Sequence, residues 1–252
     1  MKKSFINSEK PLIVGMVQCA TAEECIQKIK DSVAEGATAI GVQLCRLKRE
    51  YRTKEIISEI FSYCGDLPIY VTSYRYGESE GMTDEECIDL LFLAIECGAT
   101  LCDVMGDMFD MRDDQLTYNE EAVEKQKKLI DKIHAAGAEV LMSTHDMKNG
   151  PITKERILEI GKQQSMRGTD VVKIVVPDCG DERIPECIET LLELIKITGK
   201  KVLFLSTGNS GRFLRYMTPE IGNCMYLCVA HYNELDTQMQ PKISQILSLQ
   251  SH

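Results

Sequence analysis

The stretch "AAGAEVLMSTH" (135–145) holds a helix end, a turn and a strand in immediate succession. The amphipathic segment "NEEAVEKQKKLIDKIHAAG" runs into Gly137, and the apolar run "EVLMSTH" follows. A glycine at the helix C-cap before a short turn is the chemistry of an α-to-β loop, because the chain leaves the helix through a left-handed residue. The same punctuation recurs in "EGAT" (35–38) and "CGAT" (97–100), with "RGTD" (167–170) as a looser copy. Each closes a helix just before a strand.

Working outward, eight short apolar runs read as strands: 12–18, 39–45, 68–74, 101–106, 139–145, 171–176, 201–207 and 225–231. They are rich in β-branched or apolar residues and short enough to be strands. Amphipathic helices lie between them. Two open on a capping box, Thr21 with Glu24 and Thr83 with Glu86. Eight repeated βα units without a shift in composition predict an α/β fold, a single (β/α)8 TIM barrel forming one domain over 1–252. An open doubly wound sheet is the alternative, but no G-x-G-x-x-G follows the first strand.

Bulk properties narrow the function. The chain has 252 residues, 44% of them apolar, enough for a large core, and a net charge of −10. That acidity argues against nucleic acid or an anionic membrane as partner. There is no secretory signal pattern and no run of about 18 apolar residues, so a cytoplasmic protein is expected. The 11 cysteines, an odd number with no C-x-x-C, read as reduced buried thiols rather than a disulfide framework or zinc site. Cys25, Cys87, Cys97 and Cys187 fall on helices, Cys45, Cys102 and Cys228 on strands. No metal set emerges: His145-Asp146 lacks companions at ligand spacing, and "DDQ" (113–115) lacks the glycine and terminal Glu of a calcium loop.

In such a barrel, chemistry gathers at the C-terminal ends of the strands. "VVKIVV" (171–176) places Lys173 inside a buried run. Burying an ammonium is expensive unless it is paired or loses its proton. A strand-end lysine paired with a carboxylate such as Asp103 is the plain reading. Its place as third residue of the run favours a nucleophile: a desolvated amine can attack a carbonyl, and the iminium acidifies the adjacent C–H. His145, on the neighbouring strand and facing inward by the same parity, is the matching base. His134 lies on an outer helix and His252 at the terminus, while His231 is a weaker candidate. Arg75 and Arg215 suit a substrate carboxylate, and "GNSGR" (208–212) could cradle an anion with backbone N–H groups.

These residues resemble the type I 3-dehydroquinate dehydratases over essentially the whole chain. The resemblance is carried in order by "VLMSTHDMKNGP" (140–151), "GTDVVKIVVP" (168–177) and "FLSTGNSGRFLR" (204–215). It implies a lyase of the shikimate pathway, serving aromatic amino acid biosynthesis. It further implies a homodimer acting on a small carbonyl acid without metal or cofactor. By position, Lys173 would form a Schiff base with the ketone. His145 would remove the α-proton and then protonate the leaving hydroxyl. Glu80 would orient the histidine, with Glu78 as the alternative. Arg75 would hold a substrate hydroxyl and Arg215 the carboxylate. Gln238 matches the glutamine of the closing loop after strand 8.

The substrate-reading positions depart from the family pattern. The Glu-x-Arg near the end of strand 2 is replaced by "QLCRLK" (43–48), where Gln43 and Arg46 fit with a shifted register. The acidic residue of strand 4 falls on Met105. The serine of the closing loop falls on Glu234, an anion that would repel a carboxylate unless it points away. Residues 107–118 read as an insertion. Two other functions fit these departures: a paralogous Schiff-base lyase or aldolase for a different hydroxy-carbonyl acid, and a barrel that binds an anionic metabolite without turnover.

Overall fold

The computed structural model describes residues 4–148 and 152–250. Pro151 of the histidine motif and His252 lie outside the described residues. Strand and helix alternate throughout: β1 (Leu12–Val17), α1 (Ala22–Ala34), β2 (Ala39–Gln43), α2 (Lys54–Ser62), β3 (Ile69–Thr72), α3 (Asp84–Glu96), β4 (Leu101–Met105) and α4 (Glu120–Ala135) form the first half. The second half is β5 (Glu139–His145), α5 (Lys154–Met166), β6 (Val171–Val176), α6 (Ile184–Thr198), β7 (Lys201–Ser206), α7 (Gly208–Ile221), β8 (Met225–Cys228) and α8 (Ile243–Gln250). All strand pairs are parallel, in the order β7-β6-β5-β4-β3-β2-β1-β8. The chain is a nearly closed (β/α)8 barrel.

The glycine punctuation does what its chemistry requires. Gly36, Gly98, Gly137 and Gly168 have φ of +97°, +109°, +88° and +98°. At the first three, the next N–H returns to the last helical turn: Ala37 to Ser32, Ala99 to Ala94 and Ala138 to Ile133. These Schellman closures turn each helix directly into the following strand. Both expected capping boxes are present, at Thr21 and Thr83. Several strands end earlier than their apolar runs. β2 stops at Gln43, so Cys45 sits in a short 3₁₀ turn rather than on the strand. The cysteines are free thiols, and all but Cys97 are buried. Among the described residues, no helix is long and apolar enough to cross a membrane.

Strand parity sorts the side chains. On β6, Val171 and Val175 join the inner cluster with Leu141, Leu203 and Leu227, while Val172, Ile174 and Val176 pack outward against α5 and α6. Lys173 shares the inner parity. Phe5 fills the opposite mouth of the barrel, its ring centroid 6.4 Å from that of Tyr70. The β7–β8 seam is closed by a side chain. Asn223 accepts from the Phe204 N–H and donates to the Phe204 carbonyl, both at 2.8 Å, and Cys224 N–H bonds Val202 O at 2.8 Å. Asn223→Ala leaves two buried backbone groups without partners. It should lower stability by about 2–4 kcal/mol, measured by urea unfolding. A loss below about 0.5 kcal/mol, the level of a neutral surface change, would show the amide is dispensable.

Candidate active site

A cavity of about 960 Å³ opens at the C-terminal ends of the strands. Lys173, His145, Arg215, Arg75, Gln43 and Gln115 are among its lining residues. β5 and β6 pair with Ser143 opposite Lys173 and His145 opposite Val175. That register brings lysine and histidine to one wall.

Lys173 is 5% exposed. Its Nζ donates to Tyr74 OH at 2.6 Å, to Tyr70 OH at 3.1 Å and to Asp103 Oδ2 at 3.1 Å. Asp103 in turn accepts from Tyr70 OH and Ser143 Oγ, each at 2.5 Å, and from Tyr74 OH. Lys173 is thus paired with Asp103, as in its plain reading, and is not surrounded by an apolar wall alone. The amine sits in a polar cage that compensates its burial by pairing and hydrogen bonding. Burial, reinforced by the charge of Asp103, drives the phenol pKa values of Tyr70 and Tyr74 well above their ordinary range. Both phenols stay protonated and act as donors to Asp103. Tyr70 and Tyr74 were not legible as site residues, because only the inward turn of β3 and its following loop brings them beside Lys173.

His145 lies edge-on to Tyr74, with ring centroids 5.4 Å apart. Its pKa falls from the ordinary value to about 3, first by burial, then by the positive charges of Lys173 and Arg215, with Asp103 opposing. The imidazole is thus neutral, and a base, throughout the physiological range. The unfolded chain binds a proton near pH 6.5 that the folded chain refuses until about pH 3. This group's contribution to stability is full above the unfolded pKa and is lost as pH falls through that window. At pH 5 the loss should be on the order of 2 kcal/mol. Urea titrations from pH 7 to pH 4.5 should show a shallower decline in His145→Asn. Parallel declines in the two proteins would contradict this.

The two arginines differ. Arg215 is 7% exposed and its buried Nε has no hydrogen-bond partner. Burial lowers its pKa to about 10, so it remains a cation. Among the described residues it forms no ion pair, and it faces the cavity ready for an anion. Arg75 also lines the cavity, but Asp84 and Asp107 hold its guanidinium at 2.5 and 3.0 Å. Its expected role in holding a substrate hydroxyl competes with these two carboxylates.

Other expected site residues sit elsewhere. Glu80 is exposed and gives only its carbonyl, to Arg49, as does Glu78. The partner of His145 Nδ1 is instead Gln115 Oε1, at 3.0 Å. Gln43 lines the cavity and accepts from Tyr76 OH, whereas Arg46 stacks over the Tyr76 ring. Gln238 is exposed and bonds backbone within its own loop, while Gln240, Thr237 and Met239 line the cavity in its place. Glu234 is exposed and is not among the cavity-lining residues. Met105 does line the cavity. His231 is exposed, with Nδ1 3.6 Å from Asp31. The "GNSGR" cradle is filled from within: Asp178 accepts from Asn209 N–H at 3.2 Å and from the Ser210 hydroxyl. Segment 107–118, expected from the sequence to be an insertion, forms one rim, contributing Asp107, Met111, Asp113, Asp114 and Gln115.

Comparison with known proteins identifies the family. The sequence model of the family described as Type I 3-dehydroquinase matches residues 13–249. The 3-dehydroquinate dehydratase of Methanosarcina acetivorans is 26% identical over 229 residues, covering 88% of this chain and 86% of that protein. The structure of 3-dehydroquinate dehydratase from Geobacillus kaustophilus superimposes with a TM-score of 0.82 at 15% identity, covering 98% of this chain and 92% of the other. The type I enzyme from Clostridium difficile, solved with covalently modified comenic acid, gives a TM-score of 0.80 at 18% identity, covering 100% of this chain and 98% of the other. Motif order, barrel and family match converge: this chain belongs to the type I 3-dehydroquinase family of dehydratases.

Proposed function

We propose that this enzyme converts 3-dehydroquinate to 3-dehydroshikimate, a step of the shikimate pathway, through a Schiff base on Lys173. One observation carries the reading. Lys173 and His145, from adjacent strands, open onto the same cavity as Arg215, a buried cation with an unpartnered Nε.

The amine must first lose its proton, and Asp103, at 3.1 Å, is the acceptor within reach. Lys173 Nζ then adds to the ketone carbon, and the proton taken by Asp103 returns to the former ketone oxygen, which leaves as water to give the iminium. His145 takes a proton from the adjacent carbon, and the C–H electrons move into the enamine. Those electrons then expel the β-hydroxyl, which leaves as water with the proton returned by His145. Hydrolysis of the conjugated iminium releases the enone and restores the amine. Arg215 holds the substrate carboxylate; Tyr70 and Tyr74 keep Nζ aimed into the cavity. The proposal takes the protein to be a cytoplasmic homodimer, needing no metal or cofactor.

The test is an ultraviolet assay for the conjugated enone on addition of 3-dehydroquinate. Sustained product formation is expected, and its absence overturns the reading. Arg215→Met should lower kcat/KM by about 30-fold to 1,000-fold or more, the effect of losing about 2–5 kcal/mol from a desolvated charge pair. Stability should hold or rise, since an unpartnered buried cation is removed. An unchanged KM would exclude the carboxylate role. The neutralised Arg75 favours a second reading, an imine-forming lyase or aldolase for another hydroxy-carbonyl acid. A panel of small keto acids, compared by kcat/KM with 3-dehydroquinate, decides between the two.

A further inference from the structure

The Nδ1 edge of His145 meets a neutral amide. Gln115 Oε1 lies 3.0 Å from Nδ1, and because a carbonyl oxygen only accepts, this contact calls for the proton on Nδ1. Nε2 is left with its lone pair free as the base. We propose that Gln115 is the positioning residue of the proton-transfer step, fixing the tautomer and aim of His145 in place of a carboxylate. The proposal rests on the dehydratase reading and deepens it.

Two further observations support it. Gln115 has φ +51°, a left-handed conformation that non-glycine residues adopt at an energetic cost. A glycine would relieve that cost, yet the position carries a side chain that reaches the histidine. The segment that carries Gln115 is also clamped on several sides. Arg167, buried beneath it, donates to Gly106 O at 2.9 Å and Thr117 O at 2.6 Å. Arg75 holds Asp107, and Arg156 holds Asp114 at 2.7 Å. The Gln115 carbonyl itself accepts from Thr144 Oγ1, one residue before the histidine, at 3.2 Å. A group held this firmly can hold its neighbour.

The electrostatic consequence is specific. Lys173 from β6, Arg215 from α7 and Asp103 from β4 face the imidazole, beside the phenol of Tyr74. Asp107, Arg112, Asp113, Asp114, Lys148 and Arg75 share the cavity, and Asp146, next in the chain, lies 3.7 Å from Arg156. A carboxylate at Gln115 would add an anion in direct contact and favour the imidazolium; the amide adds none. The base therefore stays available in mild acid.

Three variants test this. In Gln115→Glu, the acid limb of the pH–kcat profile should move up by about one to three pH units, as an adjacent opposite charge dictates. The His145 titration followed by ¹⁵N NMR should move with it. In Gln115→Gly, melting temperature should hold or rise while kcat falls about tenfold or more with little change in KM, since orientation of the base is lost. In Gln115→Leu, the His145 ¹⁵N shifts should leave the Nδ1–H tautomer. The inference is overturned if Gln115→Glu leaves the His145 titration unchanged, or if Gln115→Gly keeps full kcat. The NMR readouts need no turnover. Shifts without activity on 3-dehydroquinate would overturn the substrate reading alone, and activity without shifts would overturn the Gln115 role alone.

Discussion

Replacing Lys173 by methionine is expected to lower turnover of 3-dehydroquinate by about 10⁵–10⁶-fold, the scale of losing a covalent nucleophile. Methionine keeps most of the volume and removes only the nitrogen. The carboxylate left behind is not stranded. Asp103 still accepts hydroxyl protons from Tyr70, Tyr74 and Ser143. Far-UV circular dichroism should therefore match the wild type, and inactivity would report chemistry rather than unfolding. If the purified variant kept more than about a tenth of the activity, far from the expected nucleophile effect, covalent catalysis by this residue would be untenable.

His145→Ala should cost about 10²–10⁴-fold in kcat, the usual worth of a general acid–base group, with KM little changed. Imine formation precedes α-proton removal, so the variant should still be trapped by borohydride on Lys173. That split separates the two roles. A variant that turns over slowly yet accumulates the adduct places His145 after the imine. Unimpaired turnover would give the proton transfer to another group.

Much of the barrel was legible because its signals are local and periodic. The glycine turns demand a left-handed residue at one position, and strand parity fixes which side chains share a face. Parity alone sends Lys173 and Ser143 inward and pairs them across β5 and β6. Loop residues obey no such period. Glu80 matched by position in a loop, but the chain turns it to solvent, where its carbonyl serves Arg49. Gln238 likewise bonds backbone in its own loop, two residues from Gln240, which does line the cavity. Arg75 was found as a cavity cation, but its neutralisation was hidden, because the contacts with Asp84, at the next helix start, and Asp107, in the loop after β4, depend on how those segments fold back and not on a periodic spacing. Gln115 lay in a segment visible only as an insertion. Its contact with His145 depends on contacts that converge from α5, β5 and the loop after β3, which no spacing encodes. The polar cage of Lys173 is intermediate: Asp103 was visible as its plain partner, the two tyrosines were not.

The proposed chemistry requires a carbon–nitrogen bond between Lys173 and the substrate. Borohydride added during turnover of 3-dehydroquinate, followed by intact-mass and peptide analysis, tests it most directly. A stable mass increase is expected, confined to the peptide containing Lys173, dependent on substrate and accompanied by irreversible loss of activity. Continued full turnover in borohydride, with that peptide unmodified, would contradict it.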